Sequence, residues 1–449
     1  MKDYELTITK FLQRAVDLFD HKEIVTKLAD GSLHRYTYAD AYERICQLAH
    51  ALDDYGLDQG DRVSVMAVNH YRHYELYFGP SCSGRSIHTT NHRLPEHHLV
   101  EIINEAEDKM LFVDPAFLDT VEAIADDLGT VEQYVVIDDE VPETSLESVV
   151  DYESFIAGYD TEYDWPELDE EREFALCYTS GTTGLPKGVQ YRHRRMFLHT
   201  LVHGHVDVFG VGENDAVMPV VPMFHVNGWG FPYSATFYGS KLVLPGQHTG
   251  PEDVADLIDA EDVTVAAAVP TVWIDMDGYL ESVSGEPLES LDRVLTGGSA
   301  PPASLMQKYE EVYEQYVNQN MPLENSDIYN ADTYPYGWGD DVTMVTFVGG
   351  LFLDNISLVS EPNGYRDNYR DTYDQAGFPG SHHTIGLSAM WNRWSKLGDW
   401  VTDAWEEADP GSDADFGGFV YRDEVYDPNN QSFVEEIKYR NETDGESAA

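Results

Sequence analysis

Apolar residues return every third or fourth position across residues 38–52, the spacing that lines one face of a helix. Residues 62–68 (RVSVMAV) instead alternate apolar and polar side chains, as a half-buried strand does. Residues 99–106 read as another helix and 110–113 as another strand. Further strands are predicted at 174–179, 189–192, 215–221, 241–244, 263–269 and 294–295, and helices at 195–208 and 251–260. Alternation of this kind predicts an α/β architecture on largely parallel sheets. Residues 138–171 form an acidic, Pro-containing connection into the strand at 174–179. From about residue 310 the periodicity weakens, and the chain becomes rich in Tyr, Asp and Asn. Residues 342–348 are the good strand candidate there, and the pattern yields no fold for that stretch.

A chain of 449 residues with 42% apolar side chains can bury one large core or several domains. Its charge is more distinctive. With 27 basic and 82 acidic residues the formal charge is −55, and the acids are spread along the whole length. In dilute buffer such a surface repels itself, whereas in molar salt the screening length falls to ~3 Å. The balance therefore predicts a halophilic protein of a salt-rich cytoplasm. It argues against nucleic acid and anionic membranes as partners, because both would be repelled. No run reaches the ~18 apolar residues of a membrane span, and MKDYELTITK has no apolar core of the kind a signal peptide needs. Cys46, Cys82 and Cys177 are odd in number and widely spaced, giving neither a disulfide framework nor a zinc site.

The chemistry concentrates in residues 178–189, YTSGTTGLPKGV. Glycines let successive backbone N–H groups turn toward an anion, Thr179, Ser180, Thr182 and Thr183 add hydroxyl donors, and Lys187 adds positive charge. That combination holds phosphate. It is not a Walker loop, since Lys187 lies between Pro186 and Gly188 instead of preceding Ser or Thr at a helix start. Arg192, Arg194 and Arg195 extend a local basic island, although they can equally pair with nearby carboxylates. His199 and His203 share a helix face and, with His205 and Asp207, form a candidate metal set weighed against plain packing. Ser299 follows Gly297 and Gly298, but a hydrolase elbow would need glycine where Pro301 stands.

The string at 178–189 resembles the phosphate-loop signature of the adenylate-forming superfamily, which holds acyl-CoA synthetases, peptide-synthetase adenylation domains and luciferases. Residues 34–69 and 89–114 resemble segments of the same enzymes in order. PMFHVNGWG (222–230), AAAVPTVW (266–273) and LTGGSAPP (295–302) are most similar to medium- and long-chain fatty acyl-CoA synthetases. The resemblance implies a large adenylate-forming domain of layered, mostly parallel sheets over residues 1–315. It leaves 316–449 as a divergent acidic segment. It also implies an acid–CoA ligase that uses ATP, Mg²⁺ and CoA on a medium- or long-chain fatty acid.

Carried over residue by residue, Thr179, Ser180, Gly181, Thr182, Thr183, Gly184 and Lys187 would hold the ATP phosphates. Gly297, Gly298 and Ser299 would seat adenine. His225, Trp229, Val269 and Trp273 would line the acyl site, with His225 and Lys187 as the catalytic pair. Asp399, in KLGDW, would take the ribose hydroxyls, although the threonine of the family motif is missing. The family's Tyr-Gly-x-Thr-Glu, whose glutamate helps hold Mg²⁺, has only YPYGWGDD (334–341) as an echo, with Asp340 or Asp341 as substitutes, so the metal ligand is left open. The hinge motif and the small C-terminal domain bearing the adenylation lysine find no match, and Lys438 lacks the glycine context for that role. The alternative reading is therefore a catalytically impaired nucleotide- and acyl-binding remnant. Without a match to the lysine and hinge, the chain is expected to bind ATP and make acyl-CoA slowly or not at all, with the thioester step more impaired than adenylate formation. The oligomeric state is open, a homodimer included.

The charge generates a first test. The melting temperature, followed by circular dichroism, should fall as KCl is dialysed from molar to ~0.1 M, where the screening length is ~10 Å. A melting temperature independent of salt contradicts the halophilic reading.

Overall fold

The computed structural model describes residues 4–179, 186–205, 208–283 and 288–298, three single positions beyond them, and four short strands further on. In chain order the elements begin with α1 (Thr9–Phe19), β1 (Glu23–Lys27), β2 (Leu33–Thr37), α2 (Tyr38–Tyr55), β3 (Arg62–Met66) and α3 (Tyr71–Cys82). Next come β4 (Ser86–Thr89), α4 (Glu96–Glu105), β5 (Asp108–Val113), α5 (Leu118–Ile124), β6 (Gln133–Val136), β7 (Val149–Asp151) and α6 (Tyr152–Ile156). They are followed by β8 (Glu173–Thr179), β9 (Lys187–Arg192), α7 (His193–His203), β10 (Ala216–Pro219), α8 (Phe231–Tyr238) and β11 (Lys241–Leu244). The run closes with α9 (Pro251–Glu261), β12 (Val265–Ala268), α10 (Pro270–Ser282) and β13 (Arg293–Gly297). The later strands are β14 (Val345–Phe347), β15 (Val420–Arg422), β16 (Ile437–Arg440) and β17 (Ser447–Ala448).

The chain divides into two units, Met1–Leu295 with Tyr313–Met321, and Thr296–Val312 with Pro322–Ala449. In the first, one sheet runs β7-β6-β5-β3-β4-β8-β9 and another β13-β12-β10-β11-β1-β2. Parallel pairing dominates, as the alternating pattern predicts, with antiparallel hairpins at β1–β2 and β8–β9. In the second unit β15, β16 and β17 form an antiparallel sheet, with Lys438 in β16 opposite Tyr421. Among the described residues no helix is long and apolar enough to cross a membrane.

Local chemistry sets the ends of these elements. Thr37 accepts from the Asp40 N–H, and Asp40 accepts from the Thr37 N–H, a capping box that starts α2. Gly56, at φ +97°, ends it by donating to Asp53 and Leu52 carbonyls. Pro251 and Pro270 open α9 and α10, where the missing N–H costs nothing.

Three differences from the sequence pattern have physical causes. The connection 138–171 contains β7 and α6, because Val149–Asp151 adds a short edge strand to β6 and Asp151 caps the helix through the Ser154 N–H. The helix expected at 195–208 spans only His193–His203, and Gly204 follows it. Finally, α3 gave no periodic signal because every one of its residues is buried, so it has no polar face.

Burying α3 buries charge. Glu75 is fully enclosed and binds Arg44 at 2.6 Å and the Tyr152 hydroxyl at 2.7 Å. Arg44 also binds Glu153, and Arg72 joins Glu153 to Asp139. Burial raises the Glu75 pKa against the pull of Arg44. For Glu153 burial acts upward too, but the hydrogen bonds from Arg44 and Arg72 outweigh it and hold the carboxyl low. Removing one partner of a buried pair strands the other, at about 3–5 kcal/mol. Arg44→Ala should therefore lower the unfolding free energy by that amount in a urea titration, and a loss below ~1 kcal/mol, the range of an exposed pair, contradicts the network.

Burial also lowers the imidazole pKa of His73, His193 and His199 to about 3. An unfolded imidazole titrates near ~6.5, so the unfolded chain binds more protons between these values. Their contribution is complete above pH ~6.5 and is lost as pH falls toward 3, at about 1.4 kcal/mol per pH unit for each group. Urea midpoints at fixed salt should decline from about pH 6.5 downward, above the ordinary carboxylate range. A midpoint that is level down to about pH 5 contradicts the buried neutral state.

Candidate active site

Parallel strands leave their ligand crevices at the carboxyl ends, where the chain turns out of the sheet. In the first unit β8, β10 and β12 lead to candidate residues there, and β3 and β4 lead to residues that hold the segment after β10. β8 and β9 form the hairpin that brackets the Ser/Thr/Gly string, with Thr179 directly opposite Lys187. Residues 180–185 lie outside the described residues, which removes Ser180, Gly181, Thr182, Thr183 and Gly184 from placement; the Thr179 side chain is also outside. Lys187 is exposed. β8 itself is firmly anchored: Glu173 binds Arg62 at 2.7 Å, and the Ser81 hydroxyl donates to Phe174 O at 3.0 Å. Arg192 and Arg194 of the basic island pair with Glu171 and Glu170.

The chain leaving β10 follows an irregular, largely buried path. The Asn69 carboxamide, just past β3, donates to Pro219 O and Val221 O, both at 2.8 Å, and accepts from Met223 N–H at 2.8 Å. Val220 and Val221 N–H both reach Ala267 O in β12 at 2.9 Å. The Tyr77 hydroxyl donates to Met223 O, and Thr89 Oγ1 donates to Phe224 O at 3.1 Å. Cys177 Sγ lies 3.0 Å from the same Thr89 oxygen. Since a carbonyl only accepts and the threonine has one proton, the thiol must donate to Thr89. Burial pushes this thiol up to about 11, partly offset by Thr89 and by the backbone N–H groups of Asn227 and Val226. The strand that leads into the Ser/Thr/Gly string thus touches the segment carrying His225.

Val226, Asn227, Gly228, Trp229 and Gly230 have φ of +50°, +52°, +59°, +53° and +77°, a left-handed turn. Each L-residue held there costs about 1–2 kcal/mol, so the surrounding bonds must hold the conformation in place. Gly230 is required twice over, because a Cβ at that position would also stand 2.6 Å from His199 Nε2. Asn227 is fully buried and neither end of its amide finds a hydrogen-bond partner among the described residues.

His225 opens this turn and is exposed, yet enough protein surrounds it that desolvation, ahead of the Arg93 charge, lowers its pKa. Arg93 sits over the Phe224 ring at 5.5 Å. Trp229 is buried, and its carbonyl lies 3.3 Å from His199 Nε2. His203 lies 3.1 Å from Ser234 Oγ, so both helix histidines are packing residues that tie α7 to the turn and α8. Among the described residues no three His, Cys, Asp or Glu side chains gather as a metal site, so His199, His203 and His205 take the packing side of the two readings weighed for them; Asp207 lies outside the described residues.

Val269 is the N-cap of α10, and Trp273 in its first turn is fully buried with its indole N–H on Leu295 O at 3.1 Å. Gly297 ends β13 and is buried, and Gly298 follows at φ +87° and is exposed. Ser299, Asp340, Asp341 and Asp399 lie outside the described residues. Asn69, Tyr77 and Thr89 were not singled out in the sequence, where an asparagine after a strand reads as a turn residue.

The family model for AMP-binding enzymes matches residues 12–320. A long-chain-fatty-acid–CoA ligase of Thermus thermophilus is 45% identical over 312 residues, covering 70% of this chain and 56% of that protein. A medium-chain-fatty-acid–CoA ligase of Ectopseudomonas oleovorans is 37% identical over 313 residues, covering 69% and 57%. The crystal structure of a long-chain-fatty-acid–CoA ligase from Archaeoglobus fulgidus matches with a TM-score of 0.64 at 19% identity, over 78% of this chain and 65% of that one, a likeness of fold. The chain spans a little over half the length of these two curated relatives. With the β8–β9 hairpin and the histidine-bearing turn after β10 both inside a family match that spans most of its length, this chain belongs to the AMP-binding enzyme family.

Proposed function

We propose that the chain is an acid–CoA ligase of the fatty acyl-CoA synthetase type. A carboxylate oxygen attacks the α-phosphorus of ATP and the α–β bond breaks, giving acyl-adenylate and pyrophosphate. The CoA thiol, losing its proton, then attacks the acyl carbonyl and AMP leaves. The observation that carries this reading is the β8–β9 hairpin, which sets Lys187 opposite Thr179 at the two ends of a Ser/Thr/Gly loop. Hydrogen-bond donors and positive charge aimed at the departing phosphates lower the barrier by stabilising the charge that develops there.

In this reading Thr179, Ser180, Gly181, Thr182, Thr183, Gly184 and Lys187 hold the phosphates. Gly297, Gly298 and Ser299 seat adenine, and Asp399 takes the ribose. His225, Trp229, Val269 and Trp273 border a medium- or long-chain acyl group, with His225 beside the forming anhydride. Mg²⁺ enters with the nucleotide as its counter-ion; no protein ligand is assigned to it and no step depends on one. The similarity to proteins named as fatty-acid–CoA ligases supports the ligase reading over that of a binding remnant.

The test is fatty-acid-dependent ATP–pyrophosphate exchange in molar KCl across a series of chain lengths, with acyl-CoA formation read separately after CoA is added. Lys187→Ala should weaken MgATP binding or turnover by ~1.5–3 kcal/mol, the range for a lost charge-assisted bond. Absence of exchange with every acid, together with MgATP affinity unchanged by Lys187→Ala in calorimetry, overturns the ligase reading.

A further inference from the structure

The backbone between β10 and His225 is held from the opposite sheet, and one side chain does most of it. Asn69 is buried, and both ends of its carboxamide are used. Its three bonds fall on alternate residues, Pro219, Val221 and Met223, so the amide acts on this segment as a neighbouring strand edge would. The Asn69 backbone is held as well, since its carbonyl accepts from Gly246 N–H at 2.9 Å. Two residues past Met223 stands His225, whose N–H returns to Pro222 O at 3.0 Å and whose carbonyl accepts from Gly228 N–H at 3.0 Å. The path fixed by Asn69 therefore leads directly into the imidazole and the left-handed turn.

We propose that Asn69 is a positioning residue that acts through the backbone of residues 219–223 to place His225 for acyl-adenylate formation. The proposal rests on the ligase reading given above. Asn69 touches no reacting atom in it. Its effect comes through geometry, and a displacement of about 1 Å at a reacting group is enough to cost about a hundredfold in rate. No other common side chain reproduces the contact set. Aspartate keeps the shape and the acceptor for Met223 N–H, but it sets a carboxylate oxygen against two carbonyl oxygens. Alanine leaves Pro219 O and Val221 O without their donor.

The experiment measures fatty-acid-dependent ATP–pyrophosphate exchange for the full chain carrying Asn69→Ala or Asn69→Asp, alone and combined with His225→Ala. Circular dichroism checks folding, and Asn69→Ser replaces any variant that fails to fold. Either single Asn69 change should lower kcat about 10- to 100-fold with the KM for ATP nearly unchanged. In the His225→Ala background the further loss should shrink to less than ~3-fold, because residues acting as one unit are not additive. The His225 imidazole, followed by NMR, should titrate closer to the ordinary ~6.5 in Asn69→Ala as the ring leaves its desolvated place beside Arg93. Fully multiplicative losses in the double variant, or identical His225 titration in wild type and Asn69→Ala, overturn the proposal. A wild-type chain without exchange activity, its MgATP affinity unchanged by Lys187→Ala, overturns the ligase reading instead, and wherever exchange is absent the His225 titration decides the positioning role by itself.

Discussion

Irregular backbone in a dry interior must find partners for its polar groups, and each one left without costs about 1–3 kcal/mol. Residues 219–224 are such a segment, and their partners come from across the fold: Asn69 after β3, Tyr77 in α3, Thr89 at the end of β4 and Ala267 in β12. This requirement locks the carboxyl ends of two sheets to each other. The site residues of the first unit lie on the loops that leave those ends, so their spacing is inherited from the lock. The strained turn at 226–230 persists for the same reason. Its backbone N–H groups reach Cys177, Cys177 reaches Thr89, and Thr89 holds Phe224, so the preceding residues cannot relax to relieve it.

The β8–β9 hairpin shows a complementary arrangement. β8 is anchored at its start by Arg62 on Glu173 and along its length by parallel pairing with β4, while β9 pairs only at the edge of the sheet in the order given by the described strands. A rigid inner strand and an outer one thus present the two ends of the loop, with Lys187 on the outer. The proposed anion binding would need little more than such a frame, since successive backbone N–H groups can themselves be the donors.

What could be read from the sequence was whatever carried a one-sided pattern. α2, α4, α9 and strands such as β3, β5 and β11 each have one face in the core or a run too apolar for the surface, and they appear close to the expected positions. α3 escaped because burial on all sides erases the polar face, and its Arg72, His73 and Glu75 look like surface residues until their partners are known. β7 and α6 were hidden by acidic residues that are ordinary in this chain. At the site, the motif residues stood out by composition, since a loop of Thr, Ser, Gly and Lys is unusual anywhere. Asn69 and Thr89 did not, because their work lies in contacts between segments about 150 residues apart, of which local sequence carries no trace. The His199 and His203 spacing was legible, and of the two uses weighed for that i, i+4 geometry, ligation and packing, the contacts to Trp229 O and Ser234 Oγ are those of packing.

Cations are scarce here, at 27 against 82 acids, and the structure shares them. Arg44 serves Glu75 and Glu153, Arg72 serves Glu153 and Asp139, and Arg35 serves Glu261 and Glu23. Several of these links join segments far apart in sequence, such as Arg35 to Glu261 and Arg44 to Glu153. The consequence is an asymmetry in how the chain can drift. An exposed aspartate can be exchanged for glutamate, or gained, with little effect as long as salt screens it. A bridging arginine cannot be lost so cheaply, since a single change takes a cation from two carboxylates at once. In lineages that acidify their surfaces, the basic positions of such a protein should therefore be the slow-changing skeleton on which the acidic ones turn over.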